Sequence, residues 1–142
     1  MKSPTVKPAE PSDLEWVSDL AKTKPFAAAW SREAFFHELG RPDGIFLASD
    51  PHGYAVARVV DGDCLLLDIA AAKDGQGVGR ALFKALQEAA RIRHCRKISF
   101  EVSAANARAL TFYVAAGAAV VGRRKKFYND GSDAVLMDLN LK

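Results

Sequence analysis

The chain has 142 residues, 49% hydrophobic and 26% charged, with a net charge of +3. This suits one domain with its own core over residues 1–142, with residues 1–3 expected to be disordered. No apolar run approaches the ~18 residues that cross a bilayer, and none follows Lys2 as a secretion signal would, so a cytoplasmic protein with no membrane partner is expected. The charge is too small to indicate a nucleic-acid partner. The residues Cys64, Cys95, His37, His52 and His94 are too scattered for a metal site, so no metal is expected and both thiols read as structural.

Residues 5–8 read as a short edge strand, because Pro4 and Pro8 bracket it. A helix follows, with Ser12 as N-cap, Glu15 three residues later as in a capping box, and Leu14, Val17 and Leu20 at helical spacing. A second helix begins near Ser31, carries Ala34, Phe35, Glu38 and Leu39, and closes at Gly40 and Pro42. The period then changes. Residues 45–48, 54–60 and 64–71 are apolar runs of strand length, separated by Asp50-Pro51-His52-Gly53 and by Asp61-Gly62. Asp-Gly is a strong hairpin signal because the tight turn needs positive φ. A helix over residues 77–93, a strand over 97–102, a helix over 105–115 and a closing strand pair over 120–124 and 135–141 complete the order β-α-α-β-β-β-α-β-α-β-β. The strand–helix–strand unit of residues 64–102 pairs its strands in parallel within an otherwise antiparallel sheet.

Two stretches carry chemistry. Gly75-Gln76-Gly77-Val78-Gly79-Arg80-Ala81 lies between a strand and a helix. The N–H groups at a helix start bind phosphate, glycines let a ligand approach, and Arg80 adds a cation. It is neither a dinucleotide fingerprint, which would need Gly at position 80, nor a P-loop. Packing alone explains such a turn about as well. Glu101-Val102-Ser103-Ala104-Ala105-Asn106 runs off a strand into a helix carrying Tyr113. Asn106 and Tyr113 share a helix face about 10 Å apart. Glu101 alternates with Phe100 and Val102 and so points away from the apolar side of its strand. Taken singly, a solvated Glu101, a capping Asn106 and a core Tyr113 are the better readings. The basic clusters at residues 91–97 and 123–126 fit solvated ends as well as anion sites.

In this order, Leu67-Asp68-Ile69-Ala70-Ala71, Gln76-Gly77-Val78-Gly79-Arg80-Ala81-Leu82, Glu101-Val102-Ser103-Ala104-Ala105-Asn106 and Phe112-Tyr113-Val114-Ala115-Ala116-Gly117 resemble the GNAT acetyltransferases. The similarity is closest to the RimI branch of protein N-terminal acetyltransferases, which act on the alanine α-amine of a ribosomal protein. Ala29-Trp30-Ser31 resembles that branch's Pro-Trp-Ser, and Phe127-Tyr128 with Asp130-Gly131 and residues 133–137 resembles its C-terminal end. The resemblance implies an α/β (α+β) GNAT fold: a mixed, mostly antiparallel sheet of six to seven strands, about four helices, and a central parallel pair splayed for acetyl-CoA. It implies acetyl-CoA as co-substrate and an amine acceptor, a protein N-terminus first of all, with direct transfer in a ternary complex of a monomer or homodimer.

The same resemblance assigns roles. Backbone groups of Ile69, Ala70 and Ala71 would hold the pantetheine and the thioester carbonyl, with an N–H near Ala70 stabilising the developing oxyanion. Gln76, Gly77, Val78, Gly79 and Arg80 would cradle the pyrophosphate, and Asn106 would hydrogen-bond the pantetheine arm. Glu101 matches the base, acting through a water, and Tyr113 the acid that protonates the departing thiolate. Asp68 is a second candidate base. Trp30 and Tyr128 are candidate acceptor contacts, although Trp30 suits a core equally well. Two departures stand out. The turn before Gly77 is about two residues short and offers Asp74 where the family has Arg or Gln, and Ala118 replaces a core Phe. Two other functions remain open at this point: acetylation of a small-molecule amine, and a non-catalytic domain binding CoA or nucleic acid.

Overall fold

The computed structural model describes residues 3–27 and 30–141. Ala29 of the Ala29-Trp30-Ser31 stretch lies outside them, as do Met1 and Lys2. The strands are β1 (Thr5–Pro8), β2 (Gly44–Asp50), β3 (Gly53–Val60), β4 (Asp63–Ala71), β5 (Lys97–Ser103), β6 (Ala119–Arg124) and β7 (Ala134–Asn140). The helices are α1 (Leu14–Thr23), α2 (Arg32–Leu39), α3 (Val78–Ile92) and α4 (Ala107–Ala115). One seven-stranded sheet runs in the order β1-β2-β3-β4-β5-β7-β6. The element order is the expected one, and β4 with β5 is the parallel pair. The closing hairpin has a feature that chain order does not announce: its last strand, β7, inserts between β5 and β6.

The first helix starts differently from the expectation. Ser12 lies inside a 3₁₀ turn over Pro11–Asp13 instead of capping α1. Pro11 lacks an N–H and suits a first helical position, which moves the cap back to Glu10. The Glu10 backbone N–H donates to the Asp13 carboxylate at 2.8 Å. At α2 the expectation holds, since the Ser31 hydroxyl accepts from Ala34 N at 3.1 Å.

The helices form two layers. α3 and α4 bury Val78, Leu82, Phe83, Leu86 and Tyr113 against one sheet face, over Cys64, Ile98, Phe100 and Met137. α1 and α2 bury Leu14, Val17 and Phe35 on the other face, over Phe46, Tyr54 and Val56. Arg58 of β3 ties α2 down with two hydrogen bonds to the carboxylate of buried Glu38. Gly53 is needed where the β2–β3 hairpin meets α3, because a Cβ there would come within 2.6 Å of Val78 Cγ1.

A bulge in β4 shapes the middle of the sheet. Ala57 faces Leu66 and Val56 faces Asp68, so Leu67 is an extra residue with no partner on β3. A bulge bends its strand and increases the local twist. It also changes which face later side chains take. Cys64 and Leu66 belong to the α3/α4 side, whereas Asp68 and Ala70 share the face of Tyr54 and Val56. The parallel ladder between β4 and β5 consists of Cys64 with Ile98 and Leu65 with Ser99, and ends there, just before the bulge. Beyond that point the two strands part.

Candidate active site

The split between β4 and β5 brings the two sequence motifs to its open end. β4 runs into the turn of residues 72–77, and Gly77 caps α3 with φ = 76°, a left-handed conformation that costs other residues about 1–2 kcal/mol. With glycine at the cap no side chain covers the helix start, and the first turn holds no acidic residue. The N–H groups of α3 are therefore available to an anion, with Arg80 exposed beside them. Asp74 does not face this helix start alone: its Oδ2 lies 3.1 Å from Arg108 Nη1, in the first turn of α4. On the inner edge of the split, Ile69, Ala70 and Ala71 lie past the end of the ladder with β5. The arrangement fits acetyl-CoA, whose extended arm needs a slot between strands and whose phosphates need a helix start free of carboxylates.

Asn106 is the N-cap of α4, where its Oδ1 accepts from Ala109 N at 3.2 Å. The capping reading is thus correct for the oxygen, and the cap leaves the amide NH₂ uninvolved. Tyr113 lies seven positions on, buried in an aromatic nest. Its ring centroid is 4.3 Å from that of Phe100 and 5.3 Å from that of Phe83. Burial first, and the Asp68 charge second, push its phenol well above the ordinary tyrosine range. It remains a proton donor under any ordinary condition.

Glu101 faces the other way, as its alternation requires. Its partner in β7 is Leu136, and its Oε1 lies 3.4 Å from Arg124 Nε of β6. α1 and α2 cover β2, β3 and β4 on this side. Over β5 and β7, Lys97, Ser99, Leu136 and Asp138 are only half-buried and Glu101 is exposed, so a strip open to solvent, the trough, runs beside the split. One wall is the turn after β6. The Arg124 guanidinium sits 5.6 Å from the Phe127 ring centroid, and the turn is held by Asp133, which accepts from Lys126 N at 3.0 Å and from Arg123 Nη2 at 3.2 Å. Tyr128, half-buried there, has its phenol pushed upward by burial and then by the Glu101 charge.

The bulge brings Asp68 to the same sheet face as Glu101, and burial is what distinguishes the two carboxylates. Asp68 is buried, and Tyr54 Oη donates to its Oδ2 at 2.7 Å. Burial, the Asp68 charge and this hydrogen bond together push the Tyr54 phenol upward. Trp30 does not gather with these groups: it packs beside Phe35, centroids 5.3 Å apart, against the α1/α2 core. The thiols are buried, and burial pushes Cys64 up to about 12. Neither is a nucleophile. Tyr54, Arg124 and Arg108 went unremarked as site residues. Of the three, only Arg124 carried a sequence signal, as part of the basic run at 123–126.

The profile of the acetyltransferase (GNAT) family matches residues 12–118. The chain belongs to this family. A protein of Bacillus subtilis (strain 168), provisionally assigned as the ribosomal protein bS18-alanine N-acetyltransferase, is 31% identical over 133 residues, covering 88% of this chain and 87% of its own. The crystal structure of the ribosomal-protein-S18-alanine N-acetyltransferase of Escherichia coli superposes with a TM-score of 0.84 at 26% identity, covering 98% of this chain and 94% of that one. Arabidopsis thaliana NAA60, solved in complex with acetyl-CoA, shares the fold at a TM-score of 0.83 and 18% identity, covering 98% and 99%. The RimI-like GNAT resemblance and the mixed sheet with one parallel pair are thus both confirmed. The protein is a GNAT N-acetyltransferase. Among the described residues no group of His, Cys, Asp and Glu could hold a metal, and no helix is long and apolar enough to cross a membrane.

Proposed function

We propose that this GNAT enzyme acetylates the N-terminal α-amine of a protein or peptide, with Glu101 as base and Tyr113 as acid on opposite sides of the β4–β5 split. The observation that carries the reading is the early end of the parallel ladder, which opens a slot between a wet carboxylate and a dry phenol. Acetyl-CoA is the donor and supplies the acetyl group as a thioester. Residues 76–80 hold its phosphates, the backbone of residues 69–71 holds its arm, and the amide of Asn106 supports it.

The acceptor amine enters from the trough. A peptide α-amine has a pKa of about 7.7–8, so a water-exposed carboxylate suffices to take its proton, directly or through one water. Tyr113, protonated throughout this range, returns a proton to the sulfur as the C–S bond breaks. Transfer is direct, because both thiols are buried and protonated. The open trough over β5 and β7, which no helix closes off among the described residues, suits an extended chain better than a compact metabolite. The two relatives named as ribosomal-protein alanine N-acetyltransferases point the same way. Asp68, held by Tyr54, is assigned to shaping the slot and not to taking the proton. The protein works as one domain in the cytoplasm.

A panel of short peptides with free N-termini, set against polyamines and free amino acids and read by thiol release, tests the acceptor class. Peptides beginning with alanine should be turned over fastest. Turnover of a small amine with none of any peptide would defeat the proposal.

A further inference from the structure

The two arms of the split are pinned at both ends by ion pairs. At the closed end Arg96 Nη2 lies 3.2 Å from Asp63 Oδ1, beside the paired residues of β4 and β5. At the open end, where the strands no longer touch, Arg108 of α4 reaches Asp74 in the turn before α3. The second pair spans the mouth through which an anionic ligand must reach the α3 start. Asp74 lies three residues before the α3 cap. Glycines with positive φ at positions 75 and 77 let the turn change its aim.

We infer that Asp74 is a built-in competitor of the donor's phosphates for Arg108. Before the donor binds, Arg108 bridges the mouth to Asp74; as phosphate arrives, the guanidinium exchanges the carboxylate for the phosphate, which it can grip with two parallel N–H···O bonds. Both side chains are mostly exposed, 72% and 60%, so the pair is weak enough to exchange. Asp74 then makes donor binding weaker than the glycine-rich helix start alone would allow. That penalty falls on the phosphates of the donor and leaves the contribution of its arm unchanged. This inference rests on acetyl-CoA as donor.

The test is the dissociation constant, by calorimetry at low and high salt, of acetyl-CoA and of S-acetylpantetheine, which has no phosphate. The proteins are wild type, Asp74→Asn and Arg108→Gln. Asp74→Asn should tighten acetyl-CoA binding about threefold to tenfold, the range expected for losing an exposed ion pair plus one nearby repulsion. Arg108→Gln should weaken it by about as much and flatten its salt dependence. S-acetylpantetheine should bind all three proteins alike. An unchanged or weaker constant for Asp74→Asn overturns the inference, and so does an equal gain with S-acetylpantetheine, which would mean a looser turn and not a released cation. Wild type that binds no acetyl-CoA overturns the donor itself, a different failure from wild type that binds while the variants do not differ.

Discussion

The two sides of the β4–β5 split differ in water. On the α3/α4 side Tyr113 is enclosed by Phe83, Phe100 and Phe112, and its phenol is held protonated by burial. On the trough side Glu101 meets solvent, Arg124 and the half-buried Tyr128. The same strand, β5, carries the wall of the dry side and the carboxylate of the wet one on alternate residues. Opposite environments for a proton donor and a proton acceptor follow from the period of a single strand. An acid and a base can thus serve the same slot from opposite faces of the sheet without exchanging their proton.

The largest effect should come from the dry side. Tyr113→Phe keeps the ring in its nest and removes only the hydroxyl, so kcat should fall about 10²-fold or more, with the acetyl-CoA dissociation constant unchanged. Because the phenol is shifted upward, the wild-type pH–rate profile should show no falling limb from its ionisation below about pH 10, the ordinary tyrosine value. Equal kcat for wild type and Tyr113→Phe removes the tyrosine from the mechanism and leaves the dry side a packing feature.

Glu101→Gln probes the wet side and should cost less, about tenfold to 10²-fold in kcat/KM, because water and the amine's own modest pKa supply part of what the carboxylate does. The loss should be greatest at low pH, where most of the amine is protonated, and should shrink as pH rises past about 8. A loss that is flat across pH would assign Glu101 to acceptor binding.

The donor side was legible in the sequence because its parts are neighbours in the chain. The glycines, the helix start and Arg80 fall within residues 75–80, and Asn106 and Tyr113 share one helix. The face taken by Glu101 followed from strict alternation, which β5 keeps. On the acceptor side Glu101 and Tyr128 were named through the family resemblance alone; spacing could not join them to Arg124, because these residues come to one region only after β7 has inserted between β5 and β6. Asp68 shows a second reason. Its neighbours alternate, but the bulge at Leu67 shifts it to the face of Tyr54, and no turn residue or glycine in β4 announces that bulge.

Removing the anchor of α2 should affect stability more than chemistry. Arg58→Ala leaves the Glu38 carboxylate buried with its guanidinium gone, which should cost about 2–3 kcal/mol; a fully buried pair would cost more, but Arg58 itself is partly exposed. Urea unfolding should show the lower midpoint. Because α2 lies over β2, the acetyl-CoA dissociation constant should stay within about twofold. A donor defect as large as the stability loss would mean that the two sides of the split are coupled through β3.

The smallest change is the most discriminating. Tyr54→Phe deletes the hydrogen bond to Asp68 and should lower stability by about 1.5 kcal/mol, as for other hydrogen bonds to a charged group. A donor of that kind favours the charged carboxylate, so its loss makes Asp68 easier to protonate. If Asp68 took the acceptor's proton, the acid limb of kcat/KM would move to higher pH in this variant. With Glu101 in that role the limb stays where it is in wild type, because the Tyr54 hydroxyl bonds Asp68 and the trough lies across β4 from it. A moved limb transfers the base to the bulged strand and makes the wet trough a binding surface alone.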